Sequence, residues 1–396
     1  MTATMRAAQV QRAGGPFVVG DMPVPEPGPG QVRVKVHACG ICGGDAIPRN
    51  ALFGTKLPRV PGHEIAGVVD AVGAGVEVWQ VGQRVGVGWA GGVDFTCEYC
   101  RRGDFTNCLS RTIVGMSYDG GYAEYMVAPQ DAVARIPEGL TFEEAAPLMC
   151  GGITAFNALR HAQAGPGDTV TVQGVGGVGH LAIQFADKMG FRTVAINRGR
   201  DKEELARRLG ADEYIDSTEG DAGEALKTLG GASAVLATVS RAELQTDLVK
   251  GLRPNGQLIV LEGGDPMQVT GHDLADGRLS VSGWYSGVAQ DSEDTLNFAV
   301  LKGVRPIIET YPLEQAEEAW QHQAKANLRI VLQTQRALPK GGARGAGAAD
   351  RAAGNRHTGD AGGDLTAAEP EFEGAPAAGR TNPMKTRNDQ LEKHFR

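Results

Sequence analysis

The stretch DTVTVQGVGGVGHLAIQFADKMG, residues 168–190, decides how the chain is read. Residues 168–173 alternate polar and apolar side chains and read as a short strand. GVGGVG follows at once. After it Leu181, Phe185 and Met189 recur every four residues, which is one face of a helix, and Gly190 stops it. Strand, glycine turn and helix in that order form the context in which Gly174, Gly176, Gly177 and Gly179, with Val178 between them, can bring backbone N–H groups against a pyrophosphate.

Outward from this stretch the pattern repeats. RTVAIN, EYID, SAVLATV, QLIVLE and LSVSGW read as further short strands, separated by the helical segments DKEELARRLG, AGEALKTLG and AELQTDLVKGL or by loops. Such alternation predicts a parallel, doubly wound sheet with helices on both faces, and a cofactor domain over residues 156–284. The region before it is different. Gly and Pro punctuate residues 1–155, and QVRVKVHAC (31–39) alternates Val32, Val34 and Val36 with Arg33, Lys35 and His37, a half-buried strand. A β-rich first domain is expected there, completed by residues 285–335. Residues 336–396 contain no Val or Ile and are mostly Ala, Gly and charged residues, so a disordered tail is expected.

Composition narrows the function. The chain has 396 residues, 41% of them hydrophobic, and 47 acidic against 39 basic residues give a net charge of -8. An acidic chain whose basic runs end at pairs such as Arg101-Arg102 is a poor match for a nucleic-acid backbone, so no nucleic-acid partner is expected. The opening residues MTATMRAAQV carry no apolar secretory stretch, and no apolar run reaches membrane-spanning length. A cytoplasmic location without membrane association is therefore expected. In a reducing compartment six cysteines at metal-like spacings favour metal over disulfides.

Two groups of residues carry that metal chemistry. VDFTCEYCRRGDFTNC (93–108) holds Cys97, Cys100 and Cys108 close together, and CGICGGD (39–45) precedes PGHEIAGVVDAVGAGV (61–76). Gly62-His63-Glu64 with Gly67 and Gly73, followed in order by the cysteine cluster and the glycine turn, resembles the zinc-dependent alcohol dehydrogenases of the medium-chain dehydrogenase/reductase family. The resemblance runs from about Ala7 to Leu332. It implies a GroES-like β-rich catalytic domain joined to a Rossmann cofactor domain. Its reaction is reversible hydride transfer between an alcohol or aldehyde and NAD(P), and its assembly a homodimer or homotetramer.

Carried over by motif, Cys42, His63 and Cys150 (in APLMCGGITAF) become ligands of a catalytic zinc. Glu64 becomes an acid near the metal, and Asp45 the carboxylate that orients His63. Two thiolates and a neutral imidazole balance Zn²⁺ and leave one position open. In the resemblance Cys39 stays off the metal as a small buried residue. The family's lobe site often has four cysteines. Here its first position is Asp94, with two residues between it and Cys97, two between Cys97 and Cys100, and seven between Cys100 and Cys108. A carboxylate oxygen also ligates zinc, so an Asp-Cys₃ structural zinc is expected. Trp89 matches a substrate-side position, and Thr154 and Arg329 match cofactor contacts.

The second strand of the cofactor domain ends on Asn197, where NAD sites usually carry an acid, and Arg198, Arg200 and Lys202 follow. No carboxylate repels a 2′-phosphate, so NADP(H) is the expected preference with NAD(H) possible. The same cations also suit a solvated helix start. Many relatives place a hydroxyl and a His where this chain has Gly44 and Ile47. The side-chain route for the alcohol proton is therefore missing, and small Gly44 suggests room for a water in its place. That gap keeps two alternatives open: a zinc- and nucleotide-binding protein with little turnover, and a zinc-independent quinone or enone reductase.

Overall fold

A computed structural model describes residues 3–263, 265–323 and 329–335. The tail expected at 336–396 lies outside the described residues.

Six parallel strands form the cofactor lobe: Thr169–Gln173 (β1), Arg192–Asn197 (β2), Glu213–Asp216 (β3), Ala232–Ala237 (β4), Leu252–Val260 (β5) and Ser280–Gly283 (β6). They lie in the spatial order β3-β2-β1-β4-β5-β6. The chain therefore builds outward from β1 in one direction, then crosses back and builds in the other. The crevice at that reversal is where a doubly wound sheet takes its ligand. β4 is buried along its whole length, as a strand covered on both faces must be. The helix Gly179–Lys188 after the glycine turn buries Leu181, Ile183 and Phe185 completely. Full burial of such side chains is worth about 1.5–3 kcal/mol each. That anchors the helix whose N-terminus faces the crevice.

The other lobe is built around the strand Gln31–Ile41, whose alternate residues Val32, Val34 and Val36 are buried as their period-two spacing requires. It lies in a seven-stranded sheet beside Ile65–Val72 on one side and Arg329–Gln333 on the other. The chain thus leaves this lobe, builds the parallel sheet, and returns to pair Ile330 with Ile41 and Leu332 with Cys39. The return puts Arg329 beside the loop that follows Ile41, which matters for the site.

The lobes are fastened where the helix Gly179–Lys188 meets residues 305–307. His180 donates from Nδ1 to the Gly176 carbonyl (2.9 Å) and accepts at Nε2 from the Ile307 N–H (3.1 Å). One turn on, Gln184 bonds both the N–H and the carbonyl of Arg305, at 3.1 and 2.9 Å. No helix among the described residues is long and apolar enough to cross a membrane.

Candidate functional site

Between the lobes lies a cavity of about 490 Å³. Its lining includes Cys42, His63, Trp89, Cys150, Thr154 and the glycine turn.

Each of the three candidate ligands comes from a different piece of backbone. Cys42 follows the strand Gln31–Ile41 and opens a tight turn, Gly43–Asp45. His63 sits in the loop that leads into Ile65–Val72. Cys150 lies in a widened helical turn, Leu148–Gly152, between the helices Phe142–Pro147 and Ile153–Arg160. Such widened turns recur at functional sites because the extra residue re-aims a side chain. The Cys42 and Cys150 sulfurs are 3.8 Å apart, too far for a disulfide and close enough to share one ion. Together with Glu64, donor atoms of these residues all lie within 4.8 Å of one another.

Asp45 organises the set. It is fully buried, and both its oxygens are saturated. Oδ1 faces His63 Nδ1 at 3.0 Å and accepts from the Gly62 N–H at 3.2 Å. Oδ2 accepts from the Cys42 N–H at 3.0 Å and the Tyr122 hydroxyl at 2.8 Å. A carboxylate on Nδ1 places that proton on Nδ1 and turns the Nε2 lone pair toward the sulfurs. Nε2 is buried and has no hydrogen-bond partner. The two thiols divide the charge: the bond with Cys42, with burial behind it, pushes the Cys150 pKa well up. The hydrogen bond with Cys150 pulls the Cys42 pKa well below a free thiol's, and His63 adds to the pull. Burial disfavours a charged His63, yet Asp45 and Cys42 outweigh it and push its pKa well up. The set thus places negative charge on the Cys42 sulfur beside a buried ring nitrogen that has no hydrogen-bond partner. Its donors fit zinc with one position left open.

Glu64 is fully buried and pairs through Oε1 with Arg329, while Oε2 has no partner. Burial pushes its carboxyl up to about 7, against the pull of Arg329. Arg329 is buried too, and its guanidinium runs along Gly177, where a Cβ would come within 3.1 Å of Nη1. One arginine thus touches both the catalytic set and the glycine turn. Trp89 stands edge-on to His63, with ring centroids 4.7 Å apart. A Cβ on Gly44 would lie 3.1 Å from the Trp89 ring and 3.2 Å from His63. Trp89 and His63 thus crowd a side chain at position 44, while Gly44 itself lines the cavity. Thr154 Oγ1 accepts from the Ser286 N–H at 3.2 Å.

The glycine turn opens the helix Gly179–Lys188, and Gly179 packs so tightly that a Cβ would fall 1.8 Å from the Gly174 carbonyl oxygen. Only glycine fits there. Lys202 Nζ donates to the Val175 carbonyl at 2.7 Å and lines the cavity, and Asn197 Oδ1 accepts from the Val175 N–H at 3.3 Å. Arg198 lines an adjoining cavity of about 430 Å³ over the ends of β1 and β2, together with Arg241. Arg200 is not brought to either cavity; it pairs with Glu203 and Glu219.

The second group assembles away from the cleft. Asp94, Cys97, Cys100 and Cys108 bring donor atoms within 4.8 Å of one another. Asp94 Oδ1 accepts from the N–H groups of Thr96 (2.8 Å) and Cys97 (2.9 Å), and those bonds hold its carboxyl well below the usual range. Burial pushes Cys100 up to about 12, while a bond from the Cys100 backbone draws Cys97 down. Four donors close around one point, as a structural zinc requires. Cys39 is fully buried, and its sulfur packs against Gly62 and Gly121, outside both groups.

Sequence reasoning missed Tyr122, whose hydroxyl steadies Asp45. Its signal was the preceding Gly120-Gly121, where Cβ atoms would strike the Gly62 carbonyl and Ile65. It missed the fastening by His180 and Gln184 as well, which no spacing announces.

Two family models match the chain: the alcohol dehydrogenase GroES-like domain over residues 28–138 and the zinc-binding dehydrogenase over 177–300. An alcohol dehydrogenase notN of Aspergillus sp. (strain MF297-2) is 44% identical over 327 residues, covering 83% of this chain and 96% of the relative. An alcohol dehydrogenase of Geobacillus stearothermophilus is 37% identical over 336 residues, covering 83% and 99%. Among solved structures, an NAD-dependent alcohol dehydrogenase superposes with a TM-score of 0.78 at 31% identity, covering 84% of this chain and all of the other. A putative zinc-binding dehydrogenase of Sinorhizobium meliloti 1021 bound to NADP gives 0.77 at 25%, covering 84% and 99%. With a GroES-like lobe, a Rossmann lobe and donors for zinc meeting in the cleft between them, the chain belongs to the zinc-type alcohol dehydrogenases of the medium-chain dehydrogenase/reductase family, NAD(P)-dependent oxidoreductases.

Proposed function

We propose that Cys42, His63 and Cys150 hold the catalytic zinc of a reversible alcohol dehydrogenase, and that Asp94, Cys97, Cys100 and Cys108 hold a structural one. The observation that carries this reading is the buried, unpartnered Nε2 of His63 beside two thiols in the cleft. When bound, zinc supplies Lewis-acid polarisation of the substrate oxygen and the nicotinamide supplies the hydride acceptor or donor. The chain's own residues do the rest. Asp45 holds the His63 tautomer. Trp89 walls the substrate side and keeps the reacting carbon near the ring. Arg329 holds Glu64 and the glycine turn in one frame, while the N–H groups at the start of the helix Gly179–Lys188 receive the pyrophosphate. Position 44 carries no relay hydroxyl, so the alcohol proton leaves along the open cleft through solvent, past Gly44.

The cofactor preference we assign is NADP(H), through Arg198 at the end of β2 and without Arg200, which its two glutamates already engage. β6 is the outer strand of its sheet among the described residues. A second copy pairing along that edge is the assembly we assign, as the family resemblance implies.

The test combines elemental analysis with a cofactor-linked absorbance assay over a panel of primary alcohols and aldehydes. We expect about two zinc ions per chain, turnover lost to a chelator, and a higher kcat/KM with NADPH that Asn197→Asp shifts toward NADH. Turnover that survives complete loss of metal would overturn the catalytic reading.

A further inference from the structure

Glu262 is the one carboxylate among the described residues lining the cleft, and the functions assigned above make no use of it. It follows β5, two residues beyond Val260. Its backbone is held rather than loose: buried Gln245 donates from one amide nitrogen to the Glu262 carbonyl at 2.8 Å and to the Val239 carbonyl at 2.9 Å. That single side chain ties together the loops after β4 and β5. The Glu262 carboxylate itself has no ion pair and no hydrogen-bond partner among the described residues. It is open to solvent through the cleft mouth, yet the surrounding protein raises its pKa, and the negative Cys42 adds to the rise. Glu262 therefore sits within electrostatic reach of the catalytic sulfur.

The topology says which part of a dinucleotide lies there. β1, β2 and β3 make one mononucleotide half of the sheet and β4, β5 and β6 the other, with the glycine turn at the reversal between them. The adenosine half belongs over Asn197 and Arg198, at the end of β2. The nicotinamide half must then run over the ends of β4 and β5 toward Cys42, His63 and Cys150, because hydride transfer needs the ring beside the reacting carbon. Thr238, Val239, Leu261 and Glu262 line that path, and Glu262 is the charged one of these four. The nicotinamide ring is cationic when oxidised and neutral when reduced, so a fixed carboxylate beside it distinguishes the two states.

We propose that Glu262 is a specificity residue for the redox state of the cofactor: its carboxylate attracts the oxidised, cationic nicotinamide and leaves the reduced, neutral ring nearly unaffected. It acts by charge and takes no part in bond making. The bound equilibrium between alcohol with oxidised cofactor and aldehyde with reduced cofactor then shifts toward the first pair, which favours reduction of the carbonyl on the enzyme. This rests on the assignment of the cleft to a nicotinamide dinucleotide.

The experiment measures binding, not turnover, on the full-length protein. Reduced cofactor is titrated by its fluorescence, and oxidised cofactor by competition against that signal, for the unaltered protein, Glu262→Gln and Glu262→Asp. A charge in a cleft open to water is worth little more than its screened Coulomb attraction. Glu262→Gln should therefore weaken the oxidised form roughly three- to tenfold while the reduced form moves less than about twofold. Glu262→Asp keeps the charge and should retain most of the difference, and added salt should shrink it. Equal loss for both forms, or an unchanged ratio of the two dissociation constants, overturns the proposal while leaving the dinucleotide site intact. Failure of the unaltered protein to bind either form overturns the dinucleotide site and the proposal with it. Matching thermal melts of the three proteins separate either result from misfolding.

Discussion

The two donor clusters use the same kinds of side chain and are built in opposite ways. Asp94, Cys97, Cys100 and Cys108 come from one short run of chain, shaped by two tight turns, Cys100–Arg102 and Phe105–Asn107. Asp94 and Cys97 are half-buried, so the cluster sits near the surface. Cys42, His63 and Cys150 come from three separate elements and meet deep in the cleft, held by the buried Asp45 and Tyr122. The local cluster closes short loops, so little chain entropy opposes it, and an ion can complete it. The deep cluster needs the whole catalytic lobe in place first. Its geometry is set by the packing of that lobe, and that suits a site which must keep one coordination position free for substrate. The carboxylates follow the same contrast: Asp94 is held ionised by backbone N–H groups, while burial pushes Glu64 up to about 7.

The sharpest way to break the comparison is Cys42→Ala. Loss of Lewis-acid help costs several kcal/mol of transition-state stabilisation, so kcat/KM should fall about a thousandfold or more. One metal per chain should disappear, and the thermal midpoint should barely move. A variant that lost both metals would show that the clusters are coupled and the contrast is mistaken.

Acid should act next most strongly, through the fastening that lets the deep cluster face the cofactor lobe. Burial lowers the His180 pKa from 6.5 to about 4; the Gly176 carbonyl opposes that, and the charges of Arg329 and Lys202 add to it. The unfolded chain therefore takes up a proton below about pH 6.5 that the folded chain refuses until about pH 4. The neutral ring's contribution is fully present above 6.5 and is lost as pH falls toward 4, a change of about 3 kcal/mol. Between pH 7 and 4 the loss of stability measured by denaturant unfolding should be about 3 kcal/mol smaller in His180→Gln than in the unaltered protein. Parallel curves would mean His180 titrates alike in both states.

Asp45→Asn tests how far the deep cluster depends on its support. The amide cannot accept all four of the bonds that Asp45 accepts, so metal affinity or activity should drop 10- to 100-fold, as measured by zinc retention under a competing chelator. Tyr122→Phe removes one of those bonds and should fall short of that loss.

The smallest effect belongs to Asp94→Ala. Zinc of the surface cluster should be lost or weakened, while kcat/KM changes less than about twofold, because the deep cluster shares no donor with it. A large fall in turnover would show that the surface cluster supports the cleft after all.

The strands and glycine turn of the cofactor lobe were legible because each is written in consecutive residues: period two in 168–173, glycines where only glycine fits, period four from Leu181 to Met189. The surface cluster was legible for the same reason. Recognising Cys42, His63 and Cys150 as one set needed the family resemblance, since nothing in their spacing joins them. Arg200 illustrates the limit. Its charge was visible, but Glu219, which engages it, lies in a loop after β3.

The sequence by itself therefore determined the order of the elements, the two kinds of sheet and the donors available, because those follow from local sterics and periodicity. Only the tertiary structure decided that Tyr122 steadies Asp45, that Trp89 and His63 crowd Gly44, that Arg198 rather than Arg200 lines a cavity, and that Glu262 is the one carboxylate among the described residues lining the cleft. Each of these depends on which distant segments come within a few ångströms of each other. Short-range pattern does not specify that, because packing and hydrogen bonding choose among many surfaces of equal polarity.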